Sequence, residues 1–375
     1  MERSNEYSPI LEARNIQVRA GRALLLDIPS LSVREGEVLS VIGPNGAGKT
    51  TLLQTLFSLQ KPFQGEIFYR GQPVHADHYA IDYRRKLAMV FQEPLLFDTT
   101  VFDNVASGLK IRRMKGREIR DLVEEQLKRL GIAHLSGRSA RTLSGGEAQR
   151  TSLARAFAIS PEILFLDEPF ASLDPPSRDT LIEDLGRILR QTRMTTLMAT
   201  HDRLDALRLS DRIAIMKEGQ IVQIGSPGAV TRRPANEFVA SFVGAETILT
   251  GRVIKTAGGT FVVSVEGKGI EVAGEAGYGE TIVFCIRPEN VIVSTRSSSH
   301  SSDETTSVRN IFPGRIERIV PLGFFQKIDI DCGFPLVAYI TNPSLESLFL
   351  QTGKEVIASF KATAIHVIRR KKEED

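Results

Sequence analysis

The feature that most constrains this chain is the glycine-rich stretch GPNGAGKT at positions 43–50. It follows an apolar run at 38–42 and precedes a helix-like segment at 51–59. Glycines let successive backbone N–H groups turn toward one phosphate chain, and the N-terminus of a helix adds partial positive charge. The order of strand, loop and helix therefore predicts an α/β core with a phosphate-binding loop.

Two side chains of this loop carry the expected chemistry. The ammonium group of Lys49 can reach terminal phosphates, and the hydroxyl of Thr50 can bind Mg²⁺. A glycine-rich turn that only opened a helix would not need a lysine followed by a threonine, so the sequence predicts nucleotide binding. The predicted nucleotide-binding residues are Gly43, Pro44, Asn45, Gly46, Ala47, Gly48, Lys49, Thr50 and Thr51.

Composition excludes several classes of protein. A chain of 375 residues exceeds what one core usually serves, so two or three domains are expected. The formal net charge of +3, from 48 basic and 45 acidic residues, gives no electrostatic case for nucleic-acid binding. The two cysteines, Cys285 and Cys332, make no disulfide framework and are predicted to be small buried residues. No signal-peptide pattern and no 18-residue apolar run is present, which predicts a chain without a membrane-crossing segment.

The chain changes character near residue 244. Residues 11–242 alternate short apolar runs with helical patterns, including a one-faced apolar pattern at 116–131 that predicts a helix. After 244, short alternating runs rich in Gly, Val and Ile predict two small β units, either a duplicated barrel or two unrelated segments. The predicted divisions are 1–243 with a helical insert at about 95–160, a β unit at 244–293, a Ser-rich linker at 294–307 and a second β unit at 308–375.

Four further motifs follow the phosphate-binding loop in a fixed order. They are Gln92 in VFQEP, the stretch Leu143, Ser144, Gly145, Gly146 and Glu147, the apolar run 163–166 ended by Asp167 and Glu168, and His201 in ATHD. Together they resemble the ATP-binding subunits of ABC transporters over roughly residues 10–243. The resemblance implies a P-loop ABC ATPase domain, with a parallel sheet core and a helical insert, that uses ATP and Mg²⁺.

The resemblance also implies a role for each catalytic residue. Asp167 is similar to the carboxylate that holds Mg²⁺, together with Thr50 and Gln92, and the amide of Gln92 would also contact the attacking water. Glu168 resembles the general base that polarises the attacking water, and His201 resembles the histidine that contacts the γ-phosphate. Neighbouring carboxylates can take different roles when one is tied to a cation and the other faces water.

The stretch 143–147 resembles the ABC signature loop, which contacts the ATP of the opposite subunit in a head-to-tail homodimer. Ser144 and the glycines would stand at the start of a helix running to about Ala158, where an anion can bind. Ser144 and Glu147 also form a capping-box pattern, and both interpretations can hold together. The family more often has Gln at the position of Glu147. Asp174, in the motif SLD, resembles the D-loop residue that lies across the dimer interface.

One position departs from the family pattern. Ala20 precedes Gly21 where the family usually places an aromatic residue that stacks on adenine. Stacking of a base on an aromatic ring contributes on the order of 1–3 kcal/mol. Either another side chain such as Val18 covers the base, or nucleotide affinity is weaker and base selectivity looser.

The two C-terminal units resemble the TOBE domains that follow the ATPase in many ABC importers, and the last unit is similar to the molbindin-like repeat of molybdate and tungstate proteins. Thr341, Ser344 and Lys361 are its candidate oxyanion ligands, and a purely structural barrel is the alternative. The resemblance implies an importer ATPase bound to integral membrane permease subunits at the cytoplasmic side of the membrane, with a solute-binding protein as an indirect partner. Molybdate or tungstate is the expected cargo, with ferric iron, sulfate, polyamine or sugar as the alternative and a soluble non-transport ABC ATPase less well supported.

Overall fold

The computed structural model describes residues 9–74, 77–295 and 307–371. They form two compact units, one reaching to Gly228 and one starting at Ala229. Most of the predicted linker, 294–307, therefore lies outside the described residues. In the described part of the chain, no helix is long and apolar enough to cross a membrane.

The first unit alternates strands with helices, as its sequence pattern predicts. Its described strands are β1 (Pro9–Ala20), β2 (Ala23–Arg34), β3 (Val38–Ile42), β4 (Gln64–Tyr69), β5 (Gln72–Pro73), β6 (Leu87–Val90), β7 (Ile163–Asp167), β8 (Thr195–Thr200), β9 (Arg212–Lys217) and β10 (Gln220–Gly225). Its described helices are α1 (Lys49–Leu56), α2 (Asp77–Arg85), α3 (Val101–Ile111), α4 (Gly116–Arg129), α5 (Gly145–Ala158), α6 (Pro175–Thr192) and α7 (Arg203–Leu209). The division between the units falls within α8 (Pro227–Arg232).

A six-stranded sheet forms the centre of the first unit, in the order β10-β9-β3-β8-β7-β6. Its neighbours from β9 to β6 are parallel, and only β10 runs antiparallel to its partner. Every residue of β3, β7 and β8 is buried, because helices or a second sheet cover both faces. The predicted central strands at 163–166 and 195–199 are confirmed. A second, antiparallel sheet has the order β2-β1-β4-β5.

The predicted helical insert lies between β6 and β7 and contains α3, α4 and α5. The helix predicted at 116–131 is α4, and Gly131 follows it with a φ of 71°, a conformation that ends a helix and favours glycine. The apolar faces of the three helices share one cluster, in which Val105, Val123 and Leu153 are fully buried. This packing fixes the start of α5, where the signature-like residues stand.

The second unit is almost entirely antiparallel sheet. After α9 (Glu237–Phe242), its described strands are β11 (Thr247–Ala257), β12 (Thr260–Val265), β13 (Lys268–Ala273), β14 (Thr281–Ile286), β15 (Ile292–Ser294), β16 (Asn310–Pro321), β17 (Phe325–Asp331), β18 (Pro335–Thr341), β19 (Glu355–Phe360) and β20 (Ile365–Lys371), with the short helix α10 (Asn342–Ser347) after β18. They form two five-stranded sheets that share one apolar core. The predicted architecture, an α/β unit with a parallel sheet core and a helical insert followed by two barrel-like β units, is confirmed.

The two sheets exchange their last strands. Their orders are β13-β12-β11-β14-β20 and β18-β17-β16-β19-β15, so each matches the other position by position. This equivalence supports the duplicated-barrel interpretation. It also differs from the predicted boundaries, because 244–293 contributes β15 to the second sheet and 308–375 contributes β20 to the first. Strand β14 is buried at five of its six positions and pairs on one edge with β11 and on the other with β20.

The first boundary differs as well, since residues 229–243 belong to the second unit rather than to the first. Arg287 donates from Nη2 to the carbonyl of Val243 at 3.1 Å, and Ala240 shares a buried cluster with Cys285. These contacts bind α9 to the β sheets. Both cysteines are buried, as predicted, and burial raises the pKa of the Cys285 thiol to about 11.

Candidate active site

The glycine-rich loop connects β3 to α1 and needs glycine at specific points. A Cβ on Gly43 would lie 2.4 Å from the carbonyl oxygen of Met216. Gly48 has a φ of 98°, and a Cβ there would lie 2.7 Å from Cδ2 of Leu26. Backbone N–H groups of the loop can therefore approach a phosphate closely, since no side chain stands in the way.

Lys49 opens α1 and turns its side chain back into this loop. Its Nζ donates to the carbonyls of Gly43 at 2.9 Å and Pro44 at 3.2 Å, and it lies 3.6 Å from Oε1 of Glu168. Lys49 is only 7% exposed, so its charge acts in a poorly screened environment. The ammonium group is thereby fixed at the base of the loop.

A cavity of about 250 Å³ opens over the loop. It is lined by the predicted residues Asn45, Gly46, Ala47, Gly48, Lys49, Thr50, Thr51 and Gln92, together with Glu168 and Leu25. The structure therefore brings the phosphate-binding loop, Gln92 and Glu168 to one place. Gly43 and Pro44 contribute the carbonyls that hold Lys49.

The carboxylate pair stands at the end of β7. The hydroxyl of Thr50 donates to Oδ1 of Asp167 at 3.0 Å, and burial raises the pKa of Asp167 while that hydrogen bond and Lys49 oppose the shift. A hydroxyl and a carboxylate beside a phosphate site fit Mg²⁺, which proteins bind through one or two oxygens while phosphates and water supply the rest. In the described residues no cluster of three or more His, Cys, Asp or Glu side chains could hold a metal alone.

Glu168 turns away from its neighbour Asp167. Its φ of 48° is left-handed, which costs a non-glycine residue roughly 1–2 kcal/mol. Its N–H donates to the carbonyl of Ala199 at 2.9 Å, and its Oε2 lies 2.8 Å from Nδ1 of His201. Strands β7 and β8 are adjacent and parallel, so their carboxyl ends bring residues 33 positions apart into contact.

The signature-like stretch stands apart from this cavity. Ser144 accepts a hydrogen bond from the N–H of Glu147 at 3.3 Å and donates its own N–H to Oε2 of Glu147 at 2.7 Å, so the capping box is formed. The hydrogen bond from the Ser144 backbone holds the pKa of Glu147 below its ordinary value. Residues 143–147, all within the described part of the chain, do not line the cavity over the loop.

Asp174 occupies the start of α6. Its Oδ2 accepts from the N–H of Ser177 at 3.2 Å, and hydrogen bonds from the side chain and then the backbone of Ser177 lower the pKa of the carboxyl. The backbone of the nearby Ser172 lies 3.7 Å from where a Cβ on Gly145 would stand. The D-loop and the signature-like stretch therefore lie side by side.

The hairpin between β1 and β2 corrects one expectation. Val18 is 1% exposed and packs in the core, so it has no free face for a base. The apolar residue on the cavity is Leu25, 37% exposed, which lies at a register shift between the two strands. A one-residue bulge has no reliable signal in this sequence, and Leu25 was missed for that reason.

The three candidate oxyanion ligands are not brought together within one chain. The Thr341 and Ser344 hydroxyl oxygens lie 2.9 Å apart, and Thr341 caps α10. Thr341 pairs with Phe325, next to the end of β16, whereas Lys361 follows Phe360, which pairs with the first residue of that strand. Lys361 therefore lies toward the opposite end of the sheet.

Comparisons with known proteins agree with this geometry. The family described as ABC transporter matches residues 26–171, and the TOBE domain family matches 306–367. The chain is 39% identical over 340 residues to the molybdate/tungstate import ATP-binding protein WtpC of Pyrococcus horikoshii, covering 90% of this chain and 94% of that protein. It is 36% identical over 319 residues to the spermidine/putrescine import ATP-binding protein PotA of Legionella pneumophila, covering 84% and 85%.

A solved structure gives the same result for the first unit. The dimeric structure of MJ0796, a bacterial ABC transporter cassette, superimposes with a TM-score of 0.53 at 29% identity, covering 58% of this chain and 98% of that one. Other relatives are named for trehalose/maltose and sulfate/thiosulfate import. This chain belongs to the ATP-binding subunits of ABC importers with a C-terminal TOBE domain, and it is an ATPase that uses ATP and Mg²⁺.

Proposed function

We propose that this chain hydrolyses ATP to drive solute import through a separate membrane permease, with Glu168 as general base. The observation that supports this most strongly is the meeting of Lys49, Glu168 and His201 where parallel strands end. A carboxylate held between a cation and an imidazole, at the mouth of a phosphate cradle, suits the activation of water.

Each residue takes a distinct part in the proposed reaction. Lys49 offsets negative charge that develops on the terminal phosphate. Thr50 and Asp167 would hold Mg²⁺, which neutralises phosphate oxygens when bound. Glu168 accepts a proton from water oriented with Gln92, and His201 holds the carboxylate of Glu168 in place.

The proposed active form is a head-to-tail homodimer. The cavity over the glycine-rich loop holds no residue of 143–147, so the predicted signature contact is absent from a single chain in the described residues. In a dimer, Leu143, Ser144, Gly145, Gly146 and Glu147 of one copy would cover the nucleotide of the other, and Asp174 would lie at the interface. The dimeric cassette structure supports this arrangement.

An apolar groove fits the proposed permease partner. It has a volume of about 300 Å³ and lies between β6 and the helical insert, with Phe97, Ile111 and Ile159 in its lining. Phe97 is 58% exposed and Ile111 is 80% exposed, so the groove presents contiguous apolar surface of the kind that marks interaction sites. The groove lies close in sequence to Gln92, so a partner seated there could sense the nucleotide site. We place the subunit on the cytoplasmic face of the membrane, with a solute-binding protein acting indirectly.

The proposed cargo is molybdate or tungstate. The support is the similarity to the molybdate/tungstate import subunit of Pyrococcus horikoshii. Of the oxyanion-type residues, Thr341 and Ser344 lie together, whereas Lys361 lies elsewhere in the same chain. Polyamine, sugar and sulfate remain rivals because relatives named for them match over similar lengths. Isothermal titration of the full chain with molybdate, tungstate and sulfate separates these, since a regulatory oxyanion site should prefer the first two. If the titration shows no heat at millimolar anion, the β units no longer support molybdate or tungstate as the cargo.

A substitution at the base tests the ATPase mechanism. Glu168→Gln should leave ATP binding intact, lower turnover by at least the 10²–10⁴-fold typical of a lost general base, and accumulate an ATP-bound dimer. Glu124→Gln, an exposed carboxylate on α4, is the matched control and should keep the wild-type rate. Hydrolysis by Glu168→Gln within about threefold of wild type would remove Glu168 from this role.

A further inference from the structure

A cluster of charges joins α6 to α7 beside the candidate active site. The Nη2 of Arg178 donates to Oδ1 of Asp205 at 2.8 Å and also to Oδ2 of Asp202. The side chain of Asp205 is 4% exposed, and those of Arg178 and Asp202 are 33% and 26% exposed. Both hydrogen bonds come from the same nitrogen, so one amino group of the guanidinium joins the two carboxylates.

Asp202 connects this cluster to His201. Its Oδ1 accepts from the N–H groups of Leu204 at 2.7 Å and Asp205 at 3.4 Å, which caps α7. It is the next residue after His201, whose imidazole contacts Glu168. A shift of Asp202 would therefore move the histidine relative to the carboxylate.

Arg178 also connects the cluster to the D-loop. Its backbone N–H donates to the carbonyl of Asp174 at 2.9 Å, so the backbone of Arg178 is one helical turn from the residue that caps α6. A cavity of about 100 Å³ is lined by Arg178, Asp202 and His201, together with Glu168. The side chains thus face one small space.

Contacts within the cluster favour the ionised form of Asp202. Burial disfavours the charge on Asp202, yet hydrogen bonds from Arg178 and the Leu204 backbone keep the pKa of that carboxyl below its ordinary value. The Nε of Arg178 is buried and has no hydrogen-bond partner among the described residues. The carboxylates of Asp202 and Asp205 are therefore the main groups that stabilise the buried charge of Arg178. Removal of one of these partners leaves that charge poorly compensated.

We infer that Arg178 is a positioning residue for ATP hydrolysis, which holds His201 against Glu168 by fixing Asp202 at the start of α7. This inference rests on the proposed function, in which Glu168 is the base. Because Arg178 follows Asp174 by one turn, it also transmits the position of the dimer-facing D-loop to the histidine. Hydrolysis is in this way made dependent on the placement of α6.

A purely structural role is the main alternative, and the chain provides a control for it. Arg208 of α7 pairs with Asp179 of α6 at 2.8 Å, so it joins the same two helices through an exposed contact. Arg208→Ala removes a bridge between these helices without touching Asp202 or His201. A role limited to joining the helices should give similar results for both arginines.

The test is steady-state hydrolysis by the full chain with Mg²⁺ and ATP. Arg178→Ala should lower kcat at least about tenfold with KM changed less than about threefold, because small misplacement of a catalytic group is costly while ATP binding lies elsewhere. Arg208→Ala should keep kcat within about twofold of wild type. Arg178→Lys should recover little, because the lysine Nζ reaches only to the position of the guanidinium carbon and falls short of Nη2.

A double-variant cycle identifies the route. Asp202→Asn keeps a capping side chain but removes its charge, so it should reproduce the loss in kcat, and the Arg178→Ala, Asp202→Asn pair should lose no more than about twofold beyond either single variant. The inference would be overturned if the two losses in kcat multiplied in the double variant, or if the kcat of Arg178→Ala stayed within twofold of wild type. If Arg178→Ala does not fold, Arg178→Lys and Asp202→Asn carry the same test. Wild-type activity in Glu168→Gln would instead overturn the proposed function, so the two failures are distinguishable.

Discussion

The two units of this chain place their polar residues in different ways. In the first unit, parallel strands end at one edge of a sheet, and Lys49, Glu168 and His201 meet there although 152 positions of sequence (201 minus 49) separate the first from the last. In the second unit, antiparallel strands end alternately at opposite edges, and Thr341 and Lys361 are separated although they are only 20 positions apart (361 minus 341). Parallel topology gathers distant motifs into one site. Antiparallel topology separates residues that are close in sequence, so a site built from them would need a residue from a second chain.

The prediction with the largest expected effect tests whether the nucleotide site of one copy needs residues from a second copy. Lys49→Ala and Ser144→Arg should each abolish hydrolysis in homodimers, since both composite sites then carry one defect. Mixing the two proteins under conditions that promote subunit exchange should restore measurable hydrolysis, because a heterodimer has one site with both defects and one intact site. Absence of any recovery in a sample shown to contain heterodimers would contradict the composite site.

A glycine in the second unit tests whether that unit is chiefly structural. A Cβ on Gly314 would lie 2.7 Å from both Sγ of Cys332 and Cγ2 of Ile330. Gly314→Ala should therefore lower the free energy of unfolding by about 1–3 kcal/mol, measured by urea denaturation, while hydrolysis stays within about twofold of wild type. Gly258→Ala, where a Cβ meets nothing within 4 Å, is the control. A large loss of hydrolysis without a loss of stability would give the β unit a direct role in the ATPase.

A carboxylate far from the active site should give the smallest effect and a defined pH dependence. Glu162 contacts Tyr69, Arg70 and Lys86, and although burial opposes ionisation these contacts lower its pKa from 4.5 to about 2. A depressed pKa stabilises the fold above pH 4.5 and ceases to do so as the pH falls toward 2. Glu162→Gln should cost about 1–2 kcal/mol at pH 7.

The control for this prediction is Glu35→Gln. Glu35 is an exposed partner of the same Arg70, with a side chain that is 57% exposed, and its loss should cost less than about 0.5 kcal/mol. Urea denaturation of both variants at pH 7 and pH 3 measures the difference. A deficit for Glu162→Gln that grows as the pH falls would contradict the assigned cause.

Sequence patterns predicted the first unit well because each motif there depends on local backbone requirements. Gly43 and Gly48 are needed for close approach, the apolar runs for burial on both faces, and Gly131 for the end of α4. The place of Leu25 depends on a strand bulge, and the Arg178 cluster depends on two helices that meet only after folding. Neither leaves a periodic or compositional signal. The boundary near residue 243 was missed because the pairing of α9 with Arg287 is long-range.

The exchanged strands have a consequence for how this C-terminal region can be inherited. Because β15 completes the second sheet and β20 completes the first, a recombination event between the two repeats would leave both sheets without an outer strand. The repeats arose as copies in the duplication interpretation, yet they can now be transferred, lost or grafted only together. A chimaeric importer subunit should therefore be built by joining chains ahead of the first repeat, because a junction between the repeats would give each sheet an outer strand from the other parent.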